Sequence, residues 1–271
     1  MKPPFGPKSA FYLFAIKNPE QVLGGNRPEL DLKGPYTFDT ILVKEQTRFS
    51  SDGERLSFDS SRRLVWDMAS SSNVDEWMWL LNPIMPSALK TINSMIMDRV
   101  PFKRLAEPIV FNTVSIVLGA FKERLFVRTT PRMLMDGRKV ELLETLVGVA
   151  QRLGVGSLLP PGPPENVFGL VFVQNRTIDN VELWTGVGKT RNKYAEVNKF
   201  RGKDRLDMWR GPCNIISGTN GELYKPFAQP GKSVKVFLGP LCRSFELDPV
   251  SETPARTESG LMALEYEVSR R

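Results

Sequence analysis

Gly186-Val187-Gly188-Lys189-Thr190 has the ending of a phosphate-binding loop, in which backbone amides and a lysine cradle an anion ahead of a helix. The fuller pattern needs a glycine at position 183, where Leu183 stands, and the residues after Thr190 (RNKYAEVNKF) carry no convincing amphipathic helix. A glycine-rich strand end is the better reading. The chain has no histidine, so the commonest general base and the commonest metal ligand are both missing. Two cysteines, Cys213 and Cys242, do not complete a four-ligand zinc site unless carboxylates join them. A serine nucleophile would need a lysine base, and nothing marks one. The paired acids Asp75-Glu76 open a helical pattern, where they favour the helix dipole. The residue types point away from an enzyme and name no cofactor and no metal.

Other side chains suit binding or modification. Asn175-Arg176-Thr177 is an N-glycosylation sequon on a predicted hairpin tip, where an acceptor would be accessible. The net charge is +7, which attracts nucleic acid, anionic lipid or acidic protein. Its densest stretch holds Arg191, Lys193, Lys199, Arg201, Lys203, Arg205 and Arg210 against Glu196, Asp204 and Asp207. That stretch reads as a solvated face or as a ligand-steering patch. Trp77, Trp79 and Phe102, with Met78, Met85, Met95 and Met97, form either a buried core or an adaptable apolar surface for a lipid or partner.

These residues need elements to hold them. The chain has 271 residues with 41% hydrophobic and 25% charged, ordinary globular usage. Ala10 to Ile16 reads as a strand ending at Asn18-Pro19, and Gly34-Pro35-Tyr36-Thr37-Phe38 as a turn entering another. Asp52-Gly53 suits a tight hairpin turn between two short strands. From Asn73 the spacing turns helical. Val74, Trp77, Met78 and Leu81 share one helical face, and Pro83 and Pro86 break the run. Further helices are expected over 89–96, 109–125 and 140–153. Leu158 to Pro164 is a stiff connector. Val167 to Val173 is then read as a strand that pairs back with Val181 to Val187, and Val234 to Leu238 and Leu261 to Val268 as later strands. Strands, a helical insertion, then strands predict an α+β fold, a predominantly antiparallel β-barrel-like core with a helical bundle at one end. No apolar run reaches the roughly 20 residues of a spanning helix, and the N-terminus makes a poor signal peptide.

Five stretches in order resemble the class B scavenger receptors. Phe11 to Leu23 (FYLFAIKNPEQVL) is similar to the family's opening strand with its Asn-Pro turn, and GPYTF at 34–38 to its G-P-Y-x-[FY]. Phe168 to Gly186 (FGLVFVQNRTIDNVELWTG) is similar to its glycine-aromatic hairpin with a sequon and a terminal T-G. Trp209 to Phe227 (WRGPCNIISGTNGELYKPF) matches W-x(3)-C-N-x-I-x-G-T-[DN]-G-x-x-[FY]-x-P-F, and Cys242-Arg243-Ser244 the C-R-S that follows. Asn220 stands where aspartate is common and Lys225 where a proline is frequent.

The resemblance implies that residues 1–271 are a single, incomplete receptor ectodomain, extracellular or lumenal, on the plasma membrane or lysosome. Membrane helices would flank it outside this chain. Residues 73–155 would form the helical apex where ligands dock, above a strand body with an apolar tunnel. Lipids, fatty acids or lipoproteins would be the partners, with no nucleic acid. Lys122 and Arg124 align with the family's ligand-associated basic stretch and would meet an anionic head group. Asn175 would carry a glycan. Cys213 and Cys242 would each bond to cysteines outside this chain and not to each other. The alternative, of another class, is a receptor that docks a protein at the same apex without lipid transfer. A cargo released by pH would more naturally use a histidine there.

Overall fold

The computed structural model describes residues 7–86, 124–141, 167–225, 229–257 and 260–269. Its strands are β1 (Lys8–Ile16), β2 (Leu30–Phe49), β3 (Arg55–Trp66), β4 (Met78–Leu81), β5 (Phe126–Thr129), β6 (Arg138–Lys139), β7 (Val167–Phe168), β8 (Ile178–Trp184) and β9 (Val197–Phe200). They continue with β10 (Val234–Leu238), β11 (Arg243–Pro249), β12 (Ala255–Arg256), β13 (Met262–Ala263) and β14 (Tyr266–Val268). Three short helices are α1 (Pro19–Leu23), α2 (Pro131–Asp136) and α3 (Leu170–Gln174). The strand pairings are antiparallel, so the described residues form a mostly antiparallel β fold with few helices. Contacts divide the chain into two compact units. The first holds residues 8–39 and 64–175, the second residues 1–7, 40–63 and 176–271, and β2 and β3 contribute to both.

In the first unit β1 pairs with the leading half of β2, from Lys8 opposite Asp39 to Ile16 opposite Leu30. The register shifts between Phe11 and Leu13, opposite Gly34-Pro35. The expected turn at 34–38 is therefore an irregularity inside one long strand. Gly34 has φ +136°, and a Cβ there would lie 2.8 Å from the Phe11 carbonyl oxygen. Past this point Tyr36 and Phe38 turn inward and are fully buried with Leu64, Val74, Met135 and Val171. The Phe38 ring lies 4.0 Å from Trp66 and meets Phe11 edge-on at 5.6 Å. A second cluster joins Ala15 of β1 to Met78 and Leu80 of β4.

The helix expected from Asn73 is not formed. Residues 78–81 are strand β4, paired with β5 from Met78 opposite Thr129 to Leu81 opposite Phe126. Met78 and Leu80 are buried while Trp79 and Leu81 are exposed. This two-residue period is hidden in a short run whose apolar positions also fit a helix. The helical insertion is not seen among the described residues. Residues 84–86 and 141 are helical. The expected helix over 89–96 and most of those over 109–125 and 140–153 lie outside the described residues, as does the 158–164 connector. At 124–125 the backbone is not helical.

The expected strand over 167–173 is a second correction. Only Val167–Phe168 is extended, and Leu170–Gln174 is helix α3. Gly169 lies so close to Gly137 that a Cβ would approach the Gly137 Cα to 2.5 Å. That close approach packs α3 on α2, whose Thr130 side chain caps the Met133 amide. Tertiary packing thus overrides the strand propensity of Val171, Phe172 and Val173. The predicted hairpin with 181–187 does not exist, because β8 pairs with β3 instead, from Arg55 opposite Trp184 to Ser61 opposite Ile178.

In the second unit β9 pairs antiparallel with β8, and β2 turns into β3 at Asp52-Gly53 as the sequence predicts, with Gly53 at φ +70°. A further sheet runs β10-β11-β14, and β12 pairs with β13. The single strand expected over 261–268 is two strands with different partners. Phe58, Val181, Leu183, Val197, Phe200, Leu206, Phe237 and Cys242 fill this unit's core. No helix among the described residues is long and apolar enough to cross a membrane.

Candidate functional site

Arg124 leads into β5 in the first unit. Its backbone is fixed by Asn82, a side chain only 1% exposed. The Asn82 Nδ2 donates to the Arg124 carbonyl at 3.0 Å, and its Oδ1 accepts from the Ile84 amide at 3.1 Å. The Asn82 amide donates to the Leu125 carbonyl at 2.8 Å. A buried amide with its polar atoms satisfied pins both strands at this point. The Arg124 side chain is exposed and has no ion-pair partner among the described residues. Lys122, the other predicted ligand contact, lies outside the described residues. Beside Asn82 is a small pocket walled by Pro83, Ile84, Val127, Met133, Leu134 and Phe168, with Arg138 at its edge. It has room for roughly one water molecule, which is too little for an acyl chain.

Asn175 ends α3 and is half-buried. Its Oδ1 accepts from the Leu64 amide at 2.7 Å and its Nδ2 donates to the Leu64 carbonyl at 3.0 Å. The side chain thus pairs with β3 much as a neighbouring strand would. The acceptor nitrogen of the sequon therefore has a structural partner, and it does not stand on a hairpin tip. A glycan replaces one of the two hydrogens on Nδ2, and the bond from Leu64 to Oδ1 is untouched by that exchange.

The residues from Arg205 to Ser244 form a strapped corner of the second unit. Trp209 and Asn214 exchange two bonds: the Trp209 amide donates to Asn214 Oδ1 at 2.8 Å, and Asn214 Nδ2 donates to the Trp209 carbonyl. The Trp209 indole donates to the Cys242 carbonyl at 2.9 Å. Ser244 closes the strap, accepting from the Ser217 amide at 2.9 Å and donating to the Ile215 carbonyl at 3.2 Å. Gly218, at φ +87°, lies on β10. A Cβ there would come 2.2 Å from the Lys235 carbonyl oxygen. The following Thr219 bridges both Glu196 and Val236. The spacing of W, C-N, G-T and C-R-S is thus that of a hydrogen-bonded scaffold.

This corner presents both thiols, and both are free. Cys213 is half-buried on the turn Gly211–Asn214. Cys242 is buried in a left-handed conformation at φ +48°. Its thiol donates to the Gly239 carbonyl at 3.3 Å, and burial pushes its pKa up.

The loop at 186–190 faces a carboxylate of its own chain. Glu54 Oε1 accepts from the Lys189 amide at 3.2 Å, and the next residues form a 3₁₀ turn over Gly188–Lys193. Among the described residues no cluster of acids and cysteines has the arrangement of a metal site. Sequence reasoning missed the parts played by Asn82 and Trp209. A lone Asn or Trp carries no spacing signal for a partner far along the chain.

The whole chain, residues 1–271, matches the CD36 family. It is 28% identical to mouse Lysosome membrane protein 2 over 98% of this chain and 51% of that protein. It is 24% identical to Sensory neuron membrane protein 2 of Anopheles gambiae, over 95% of this chain and 53% of that protein. It is 26% identical to mouse Scavenger receptor class B member 1, over 87% of this chain and 43% of that protein. The chain spans about half the length of the relatives it matches.

Proposed function

The chain belongs to the CD36 family, and from that premise we propose that it is part of a class B scavenger receptor that binds lipids, fatty acids or lipoproteins. The single observation behind this is the match across all 271 residues, from the β1 strand to the Cys242-Arg243-Ser244 corner. The receptor sits in the plasma or lysosomal membrane with these residues on the extracellular or lumenal side. Residues 73–155 form the ligand-docking apex, and acyl chains pass through an apolar tunnel in the strand body. Each methylene moved from water contributes about 0.8 kcal/mol, so chain burial is enough to drive capture without a chemical step. Lys122 and Arg124 hold the carboxylate or phosphate head group. Asn175 carries a glycan, and Cys213 and Cys242 bond to cysteines outside these residues.

Uptake of labelled fatty acid and of labelled lipoprotein by cells displaying the protein tests this reading. Wild-type uptake that falls several-fold in Lys122→Ala and Arg124→Ala supports both the class and the site. Uptake that is unchanged in both variants removes the site and leaves the class. No uptake of either ligand by the wild type overturns the lipid reading in favour of protein docking.

A further inference from the structure

We propose that Asn220 is a site of spontaneous deamidation, closed into a succinimide by the backbone nitrogen of Gly221, a modification independent of the lipid-receptor reading. No other asparagine in the sequence precedes a glycine. Glycine has no side chain to crowd the approach of its nitrogen, so ring closure is least hindered at such a pair. Residues 220–225 lie in no strand or helix. Gly221 is exposed and Asn220 half-buried, so solvent reaches both.

The turn prepares each reacting atom. Asn220 Oδ1 accepts from the Glu222 amide at 3.2 Å. That bond polarises Cγ and sets a donor where negative charge develops on the oxygen. The leaving nitrogen, Nδ2, has no hydrogen-bond partner among the described residues. The attacking Gly221 amide is held by a single bond to Thr219 Oγ1, long at 3.3 Å and so easily given up. Other asparagines contrast with this. Asn82, Asn175 and Asn214 each donate through Nδ2 to a main-chain carbonyl, of Arg124, Leu64 and Trp209. Their amides are anchored, and that of Asn220 is not.

The Gly221 nitrogen gives its proton to solvent base and attacks Asn220 Cγ. The new C–N bond forms, the Cγ–Nδ2 bond breaks, and Nδ2 takes a proton from water and leaves as ammonia. Water then opens the ring. Opening at Cγ leaves aspartate at 220 with a normal peptide bond. Opening at the main-chain carbonyl leaves an isoaspartyl link, with one more methylene in the backbone. The surroundings treat the two products differently. The aspartate carboxylate keeps the Glu222 amide, now as a charge-assisted bond, and loses no partner. The isoaspartyl methylene falls between two fixed points. On one side the Thr219 amide donates to the Lys235 carbonyl at 3.0 Å, and the Phe237 amide donates to the Thr219 carbonyl at 2.7 Å. On the other, Glu222 lies 2.7 Å from Lys44 Nζ. The aspartyl product therefore keeps this corner, and the isoaspartyl product loosens it.

The test incubates the intact protein at neutral pH in water enriched in heavy oxygen, then digests it and weighs the peptides. The peptide with Asn220 should take up one labelled oxygen about tenfold or more faster than those with Asn192 and Asn198. The folded protein should label at least as fast as the urea-unfolded chain. Asn220→Gln should abolish the label, since one more methylene enlarges the ring that must close. Asn220→Asp should unfold at the wild-type urea midpoint, while protein enriched in the isoaspartyl form, recognised by isoaspartyl methyltransferase, should unfold at a lower one. Labelling about tenfold slower in the folded protein than in urea means that the fold shields the pair, and overturns the proposal. So does a label that persists in Asn220→Gln, which would assign the reaction to Asn214.

Discussion

The two units use their aromatic rings in different ways. In the first unit ring meets ring: Phe11, Phe38 and Trp66 stack around a side chain with no exposed surface. In the second unit ring often meets cation. Lys193 lies 4.9 Å from the Trp184 centroid, Lys44 5.1 Å from Phe58 and Arg201 5.1 Å from Phe200. Arg243 lies within reach of both Trp209 and Phe245, at 5.8 and 5.6 Å. The basic stretch from Arg191 to Arg210 therefore has much of its charge engaged internally. Arg201 also binds Asp179 at 2.7 Å, Lys203 binds Asp207 at 2.7 Å, and Arg205 donates to the Gly211 carbonyl at 3.3 Å. The lesson is that a count of basic residues does not measure the charge left for a ligand. Arg124 and Arg128, outside that stretch, are exposed and have no ion pair among the described residues, so they are the more available pair.

The contrast makes graded predictions. Phe38→Ala removes the centre of the ring stack and should cost about 3–5 kcal/mol in urea unfolding. Gly218→Ala drives a Cβ into the β10 backbone at a left-handed position and should cost about 3 kcal/mol, or prevent folding, by the same measurement. Arg243→Met keeps the stem and loses the cation, so about 0.5–1 kcal/mol should go. A loss for Arg243→Met as large as that for Phe38→Ala would erase the distinction between the units. The smallest effect concerns acid. Hydrogen bonds from Lys8 and Ser70 hold the Asp67 carboxyl at about 2, below its ordinary 3.8. A depressed carboxylate stabilises the fold fully above its unfolded value and loses that contribution as the pH falls through the folded one. The stability gap between wild type and Asp67→Asn, read as urea midpoints, should therefore be constant above pH 5 and close as the pH falls from about 4 to 2.

Local signals in the sequence found the elements that local physics determines. A short apolar, aromatic-rich run ahead of Asn18-Pro19 marks β1, the Asp52-Gly53 dipeptide marks the β2–β3 turn, and the VKVFL run marks β10. The failures have physical causes. Val74, Trp77, Met78 and Leu81 satisfy a helical period, while the pairing that makes a strand comes from Phe126–Thr129, far along the chain. Leu170–Gln174 looks extended by propensity and is helical because Gly137 and Gly169 touch. β8 was legible as a strand, but its partner β3 was not, since nothing nearby encodes a pairing across more than a hundred residues. At the candidate site, Arg124 was reachable by resemblance alone. The buried Asn82 that fixes its backbone was not, because an asparagine's partners are set by tertiary structure.

Glu54 bears on how the 186–190 loop would behave toward outside ligands. Its carboxylate already engages the Lys189 amide and lies 2.8 Å from where a Gly188 Cβ would be. Being tethered, it acts as a resident competitor for any incoming anion. A free phosphate or nucleotide would first have to evict it. The five-letter pattern that most invites a nucleotide assignment is thus one already answered from within the chain.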